Sequence, residues 1–194
     1  MDAKTPRYYR FIRFLPKTEN SKPKTDKIMG RKLNIFLPII VMGVALDQFT
    51  KWLVLRGMPL GSQIPVIKGF FNLVHVRNRG AAFGLLGNLS MDFTRIFFAA
   101  TTFLVVAVIG YLWWRTPKAH WRALTAYSLI MAGAIGNLMD RVRLGEVVDF
   151  LDFHWRAYHW PAFNVADSMV CLGAAFLVWV IFSEEKDGDA SRID

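Results

Sequence analysis

Four long apolar runs, almost free of charge, constrain this chain more than any other feature. Ile96 to Trp114 (IFFAATTFLVVAVIGYLWW) spans nineteen residues without a charged side chain. As a helix it would rise ~28 Å, close to the ~30 Å hydrocarbon core of a bilayer. Ala123 to Met139 gives seventeen uncharged residues and Ser168 to Ser183 sixteen, while 160–183 holds a single charge, Asp167. Leu33 to Leu46 gives fourteen, and its apolar character continues to about Leu55 if Asp47 and Lys51 are accommodated. These runs predict a mainly α, polytopic membrane protein with spans at about 33–53, 94–114, 122–140 and 162–183. The competing reading is a soluble bundle with greasy core helices, but four near-spanning runs in 194 residues weigh against it.

Charge placement orients the spans. Of the formal net charge of +9, +7 lies in residues 1–32, a basic extension with ten Lys/Arg and three Asp/Glu. The link between the second and third runs adds Arg115, Lys118 and Arg122 with no acid. The positive-inside rule then places both termini and this link in the cytoplasm, with 56–92 and 141–160 facing outward. A tail beside a span contacts anionic lipid or sets topology, so a nucleic-acid role is disfavoured. Met29-Gly30-Arg31-Lys32 would itself make an ordinary basic start, and residues 1–28 read as a dispensable extension. The first span is too long for a cleaved signal peptide, and no small-x-small site follows it. Residues 184–194 form a cytoplasmic C-terminal tail. Trp113, Trp114, Trp121, Trp155 and Trp160 fall at the expected interfaces. Between the first two spans, Phe71, Leu73 and His75 alternate with Asn72, Val74 and Val76, which predicts a small β-element on the outer surface.

Ionisable groups in spans are costly, and here they gather at one level. Asp47 and Lys51 end the first span; Asn137, Asp140 and Arg141 end the third; Asn164 and Asp167 open the fourth. Asp149 and Asp152 lie in the outer connection between the last two. Each has a plainer reading. Asp47 and Lys51, four apart on one helix face, could be an interfacial ion pair with the lysine snorkelling outward. Asp140 and Arg141 could hold a loop, and Asp167 could cap a helix beside Pro161. Ala132 and Gly136, with Gly133 beside them, let the third span approach a neighbour closely.

No convincing Ser or Cys nucleophile and no glycine-rich phosphate loop is present. The single cysteine, Cys171, reads as core packing. His154 and His159 lie beside Trp155 and Trp160 and read as interfacial anchors rather than a metal site; no HExxH or other paired-ligand spacing occurs. Carboxylates remain. Two that face each other in a poorly solvated site share one proton, so that one activates a water while the other polarises a carbonyl. That is aspartyl protease chemistry and needs no metal or cofactor. From the residues alone, Asp149 and Asp152 are near-equal partners for Asp167. A proton-coupled transporter is the main non-enzymatic alternative, but transporters place such groups near the midplane and often show repeated halves, which this chain does not. A lipopeptide-binding scaffold is the other.

The segments DQFTK (47–51), NRGAAF (78–83), GNLMDR (136–141), VVDF (147–150) and FNVAD (163–167), in this order, resemble the signature boxes of lipoprotein signal peptidase, the signal peptidase II family of bacterial membrane aspartyl peptidases. The resemblance runs from about residue 33 to 183, a four-helix membrane peptidase domain. It implies a multi-pass protein of the bacterial inner membrane with an extracytoplasmic β-cradle at about 56–92 and a short extramembrane helix in the last outer connection. It implies the catalytic pair Asp149 and Asp167, and supporting roles for Asp47, Lys51, Asn78, Gly80, Asn137, Asp140, Arg141, Asn164 and Ala166. It implies prolipoprotein substrates carrying a diacylglyceryl cysteine, membrane lipids as surroundings, and an enzyme expected to work as a monomer without cofactor or metal. Ala132, where the family often has glycine, and Arg79, inside the second box, are the departures.

Overall fold

The computed structural model describes residues 25–80 and 91–190. Four helices carry the chain: α1 (Thr25–Gly57), α2 (Met91–Arg115), α3 (Trp121–Leu144) and α4 (Val165–Ala190). Lys32–Gly57, Asp92–Arg115 and Val165–Ser183 are long and apolar enough to cross a membrane. The third helix, expected as a span at 122–140, falls outside that set for a physical reason. It packs against all three other helices, and residues from Ala123 to Asp140 are buried along it. A helix shielded from lipid by its neighbours can afford small and polar residues where an exposed one cannot.

Small residues let the helices close on one another. A methyl group on Gly133 would run into the Ala166 carbonyl, and one on Gly136 would lie 2.5 Å from Asp47 Oδ2. The Asp47 carboxylate is pinned by the Lys51 ammonium, the Ala166 N–H and the Gln48 amide, so it cannot step aside. We therefore expect Gly136→Ala to destabilise the protein by about 1–3 kcal/mol, read as a lowered Tm in detergent. An unchanged Tm would show that the α1–α3 contact has slack.

At the opposite end of the bundle, Lys32 is buried and closes the C-terminus of α2. Its ammonium donates to the carbonyls of Trp113, of Trp114 at 2.8 Å and of Thr116 at 2.9 Å, and it sits 4.3 Å from the Trp113 ring centre. Those carbonyls are the unpaired acceptors at a helix end, where a cation is favoured. Trp113 is accordingly not an interfacial ring: it is buried with Phe36, Leu124, Tyr127 and Val180. Trp114 and Trp121 are exposed as expected. Cys171 is also exposed rather than packed; a thiol is small and apolar enough to face lipid without cost.

The strands are β1 (Gln63–Ile67), β2 (Phe71–Asn78), β3 (Val147–Trp155) and β4 (Tyr158–His159), in the antiparallel order β1-β2-β3-β4. The expected β-element between the first two helices therefore supplies only half of the sheet. The other half comes from the last connection, where the family resemblance implied a short helix. Residues 145–164 hold no helix. VVDFLDFHW is β-branched and aromatic, buried over its first four residues, and it completes the free edge of β2. Val148 and Phe150 pack on Val54 and Met58 of the α1 end, fixing the sheet to the bundle. The basic extension up to residue 24, the 81–90 part of the expected cradle with Ala81, Ala82 and Phe83 of the second box, and 191–194 lie outside the described residues.

Candidate active site

A buried lysine organises the polar groups. Asp47 and Lys51 lie one turn apart on α1, and Lys51 is 2% exposed, so it does not snorkel. Its three ammonium protons meet three acceptors, each at 2.9 Å: Asp47 Oδ2, Asp140 Oδ2 and Asn137 Oδ1. The other Asp47 oxygen accepts the Ala166 N–H at 2.8 Å, an otherwise unpaired donor in the first turn of α4 and a favoured position for a negative charge. Asp140 Oδ2 also accepts the Val148 N–H at 3.2 Å, which ties the end of α3 to β3 one residue before Asp149. One cluster thus sets the relative positions of α1, α3, β3 and α4.

Two asparagines form the next layer. Asn164 precedes the first turn of α4, and its Oδ1 accepts the Asp167 N–H at 2.9 Å while its own N–H reaches Asp167 Oδ2 at 3.3 Å. This reciprocal capping starts the helix and orients Asp167. Asp167 thus does take part in capping, as its plainer sequence reading held, while its other oxygen accepts from Asn137 Nδ2 at 2.7 Å. The Asn164 amide donates to Asp149 Oδ1 at 2.7 Å, so a single asparagine joins the two aspartates. Asn78 on β2 donates to Asp149 Oδ2 at 2.9 Å and accepts the Gly80 N–H at 2.8 Å. Gly80 has φ 88°, and a side chain there would strike the Phe98 ring; glycine meets both demands. Arg141 donates to the Asn137 carbonyl at 3.4 Å and feels the charges of Asp167, Asp149 and Asp140.

All the acids that the sequence placed at one level therefore share one network, except Asp152. Asp149 and Asp152 stand three apart on a strand and so project from opposite faces. Asp152 accepts from Asn72 at 2.7 Å and His159 at 2.9 Å. Burial alone would raise its pKa, but these partners outweigh it and hold the carboxyl below its ordinary value. Gln48 is the member that sequence reasoning missed. Its amide donates to Asp140 Oδ1 at 2.9 Å and to the Gly136 carbonyl at 3.1 Å, and its oxygen accepts from Arg143 at 3.2 Å. A polar residue beside Asp47 in an apolar run was the available signal.

Asp149 is 1% exposed. Burial pushes its carboxyl up to about 6; the Asn78 bond opposes this, the Asp167 charge adds to it, and the Asn164 bond and Lys51 oppose it. The arrangement offers two linked carboxyl groups, one of them able to hold a proton near neutral pH, which suits general acid–base work. Because the folded value lies above the ordinary 3.8, the stability contributed by protonated Asp149 is complete below pH 4 and lost as pH rises through about 6. The stability of the wild type relative to Asp149→Asn should fall by roughly 2 kcal/mol between pH 4 and 7, followed by thermal unfolding in detergent. Parallel curves would contradict this environment for Asp149. Among the described residues, no three His, Cys, Asp or Glu side chains are grouped to hold a metal ion.

Residues 39–183 match the family described as Signal peptidase (SPase) II. The chain is 46% identical over 157 residues to the lipoprotein signal peptidase of Syntrophotalea carbinolica, covering 81% of this chain and 94% of that protein. It is 49% identical over 145 residues to that of Desulforapulum autotrophicum, covering 74% and 90%. A solved bacterial membrane enzyme, determined in meso at 2.3 Å resolution, superposes with a TM-score of 0.69 at 33% identity, covering 80% of this chain and 92% of that one.

Proposed function

The chain belongs to the signal peptidase II family of aspartic peptidases, and from that premise we propose that it removes the signal peptide from prolipoproteins by cleaving before the diacylglyceryl-modified cysteine. Asp149 and Asp167 are the catalytic pair. One carboxylate takes a proton from the attacking water while the other, protonated, donates to the scissile carbonyl oxygen, and the roles reverse as the amine leaves. The observation that carries this reading is the Asn164 bridge, which holds a buried strand carboxyl and a helix-terminal carboxyl in one hydrogen-bonded unit. Asn137 and Asn78 aim the free oxygens, and Arg141 offers donors to substrate carbonyls. Asp47, Lys51 and Asp140, with the backbone of Ala166, hold the frame, and Gly80 holds the turn that follows Asn78.

All four helices span the bacterial inner membrane in this reading, both termini are cytoplasmic, and the site faces outward. The basic link between α2 and α3 supports that orientation. A lipid-anchored substrate is cut where its signal helix leaves the bilayer, so the reacting bond and the polar helix ends lie at one depth. The protein acts as a monomer in contact with membrane lipid, and the substrate enters laterally between helices.

The test is mass spectrometry of a synthetic diacylglyceryl lipopeptide incubated with the purified protein. Two products, one with a free amino group on the lipidated cysteine, are expected. An intact lipopeptide that copurifies with the protein would indicate a binding scaffold and reject the peptidase reading.

A further inference from the structure

The chain passes from α3 into β3 over two residues. α3 ends at Leu144, Gly145 takes φ 79° with its N–H on the Arg141 carbonyl at 3.1 Å, and β3 begins at Val147. Glu146 is the last residue before the strand and stands three positions ahead of Asp149. Arg95 of α2 steadies the helix side of this joint. It donates to the Val142 carbonyl at 2.8 Å and lies over Gly145, where an added methyl would come within 3.2 Å of its Cδ. Arg79 takes the strand side: it follows the end of β2 and donates from Nε to Glu146 Oε1 at 2.6 Å.

Asn78 and Val147 form the terminal pair of the β2–β3 ladder, the place where strand pairing frays most easily. The same Asn78 donates to Asp149 Oδ2 at 2.9 Å. The Arg79–Glu146 pair therefore closes a small ring. It runs from the Asn78 amide to Asp149, back along β3 to Glu146, across to Arg79 and along the backbone to Asn78. With side chains 58% and 23% exposed, such a pair adds little to global stability. Its leverage lies in place rather than strength. It fixes two backbone segments whose spacing aims a reacting carboxyl, and small misplacements there cost rate steeply.

We propose that Arg79 and Glu146 are positioning residues for Asp149, their ion pair pinning the end of the β2–β3 ladder so that Asn78 stays on one Asp149 oxygen and Asn164 on the other. Neither side chain touches substrate. Both act through the backbone, since the charges that bear on Asp149 are those of Asp167 on α4, Lys51 on α1 and Arg141 on α3. Arg79, a departure within the second box, thus gains a role that the box alone does not supply. The inference rests on the assignment of Asp149 to the reacting pair above.

The test reads the environment of Asp149 with and without turnover. The Asn78 bond favours the charged carboxylate, so loosening it raises the Asp149 pKa further. In the parent, the stability advantage over Asp149→Asn is expected to level off near pH 6. In the Arg79→Ala background it should level off about half a pH unit higher, followed by thermal unfolding in detergent. The charge swap Arg79→Glu with Glu146→Arg should return it to the parent position. In cleavage of a diacylglyceryl lipopeptide, Arg79→Ala should lower kcat roughly fivefold with KM unchanged, and the swap should recover most of that loss. If the parent cleaves nothing, the peptidase reading fails while the unfolding curves still decide whether the pair holds Asp149. A lowered Tm with an unmoved pH dependence would make the pair merely structural and overturn the proposal. A raised KM at unchanged kcat would put Arg79 on the substrate, and a swap no better than Arg79→Ala would show that the ion pair is not the agent; either result overturns it as well.

Discussion

Asp149→Asn and Asp167→Asn should each lower cleavage of a diacylglyceryl lipopeptide by a thousandfold or so, within the usual range for loss of a positioned acid or base. The substitution keeps shape and removes the titratable proton. At Asp167 it leaves an oxygen for the N–H of Asn164, so the start of α4 survives. At Asp149 one of the two asparagine donors loses its acceptor, a cost of about 1 kcal/mol, too small to unfold the protein. Initial rates are compared by chromatography of the released peptide, with Tm measured alongside. Asp152→Asn is the control: it lies on the other face of β3 with Asn72 and His159 and should retain most turnover. Near-parent rates in either variant of the pair would end the two-carboxylate mechanism.

Lys51→Met should have the largest effect on stability. The ammonium is enclosed by Asp47, Asp140 and Asn137, and both carboxylates are almost fully buried. Removing the cation leaves two negative charges in a poorly solvated cluster, for which the expected cost is about 3–5 kcal/mol. For a chain of this size that is a fall in Tm of roughly 10 °C. Adding Asp140→Asn to the lysine variant should recover part of the loss, because one stranded charge is removed. A Tm within about 2 °C of the parent would mean that the cluster is solvated and that Lys51 does not organise the site.

The uncharged runs located α1, α2, α3 and α4 because a long apolar run and a helix go together. The helix ends were less legible. Asn164 sets the start of α4 at Val165, three residues after the expected start of the fourth span, through a capping pattern that periodicity does not register. Strand β3 was missed, although VVDFLDFHW is β-branched and aromatic, because its partner, β2, lies about seventy to eighty residues away in the chain, and pairing across such a distance is not visible locally. Exposed Cys171 and buried Trp113 went the other way from expectation for a shared reason. In a membrane, the outside of a helix is as apolar as the core, so hydrophobicity does not tell which face packs.

The charged residues of the candidate site were legible because a charge near a span is expensive enough to need a reason, whereas Asn78, Gly80, Ala166 and the choice of Asp149 over Asp152 came only through the family resemblance. The wiring among them was not legible. Nothing in Asp47-Lys51 distinguishes a lysine reaching outward from one turned inward onto Asp140 of a helix ninety residues on. Gln48 carries no charge and so raised no comparable flag, although it closes the cluster beside Asp140.

The bond from the Asp47 carboxylate to the N–H of Ala166 joins α1 to a helix that is made 119 residues later. Until α4 is made, Asn164 and Asp167 are absent, Asp47 lacks the Ala166 N–H, and Asp149 lacks the Asn164 amide. If Asp149 and Asp167 are the proposed cutting pair, a half-made chain therefore has no cutting edge, and translation itself acts as the safety catch.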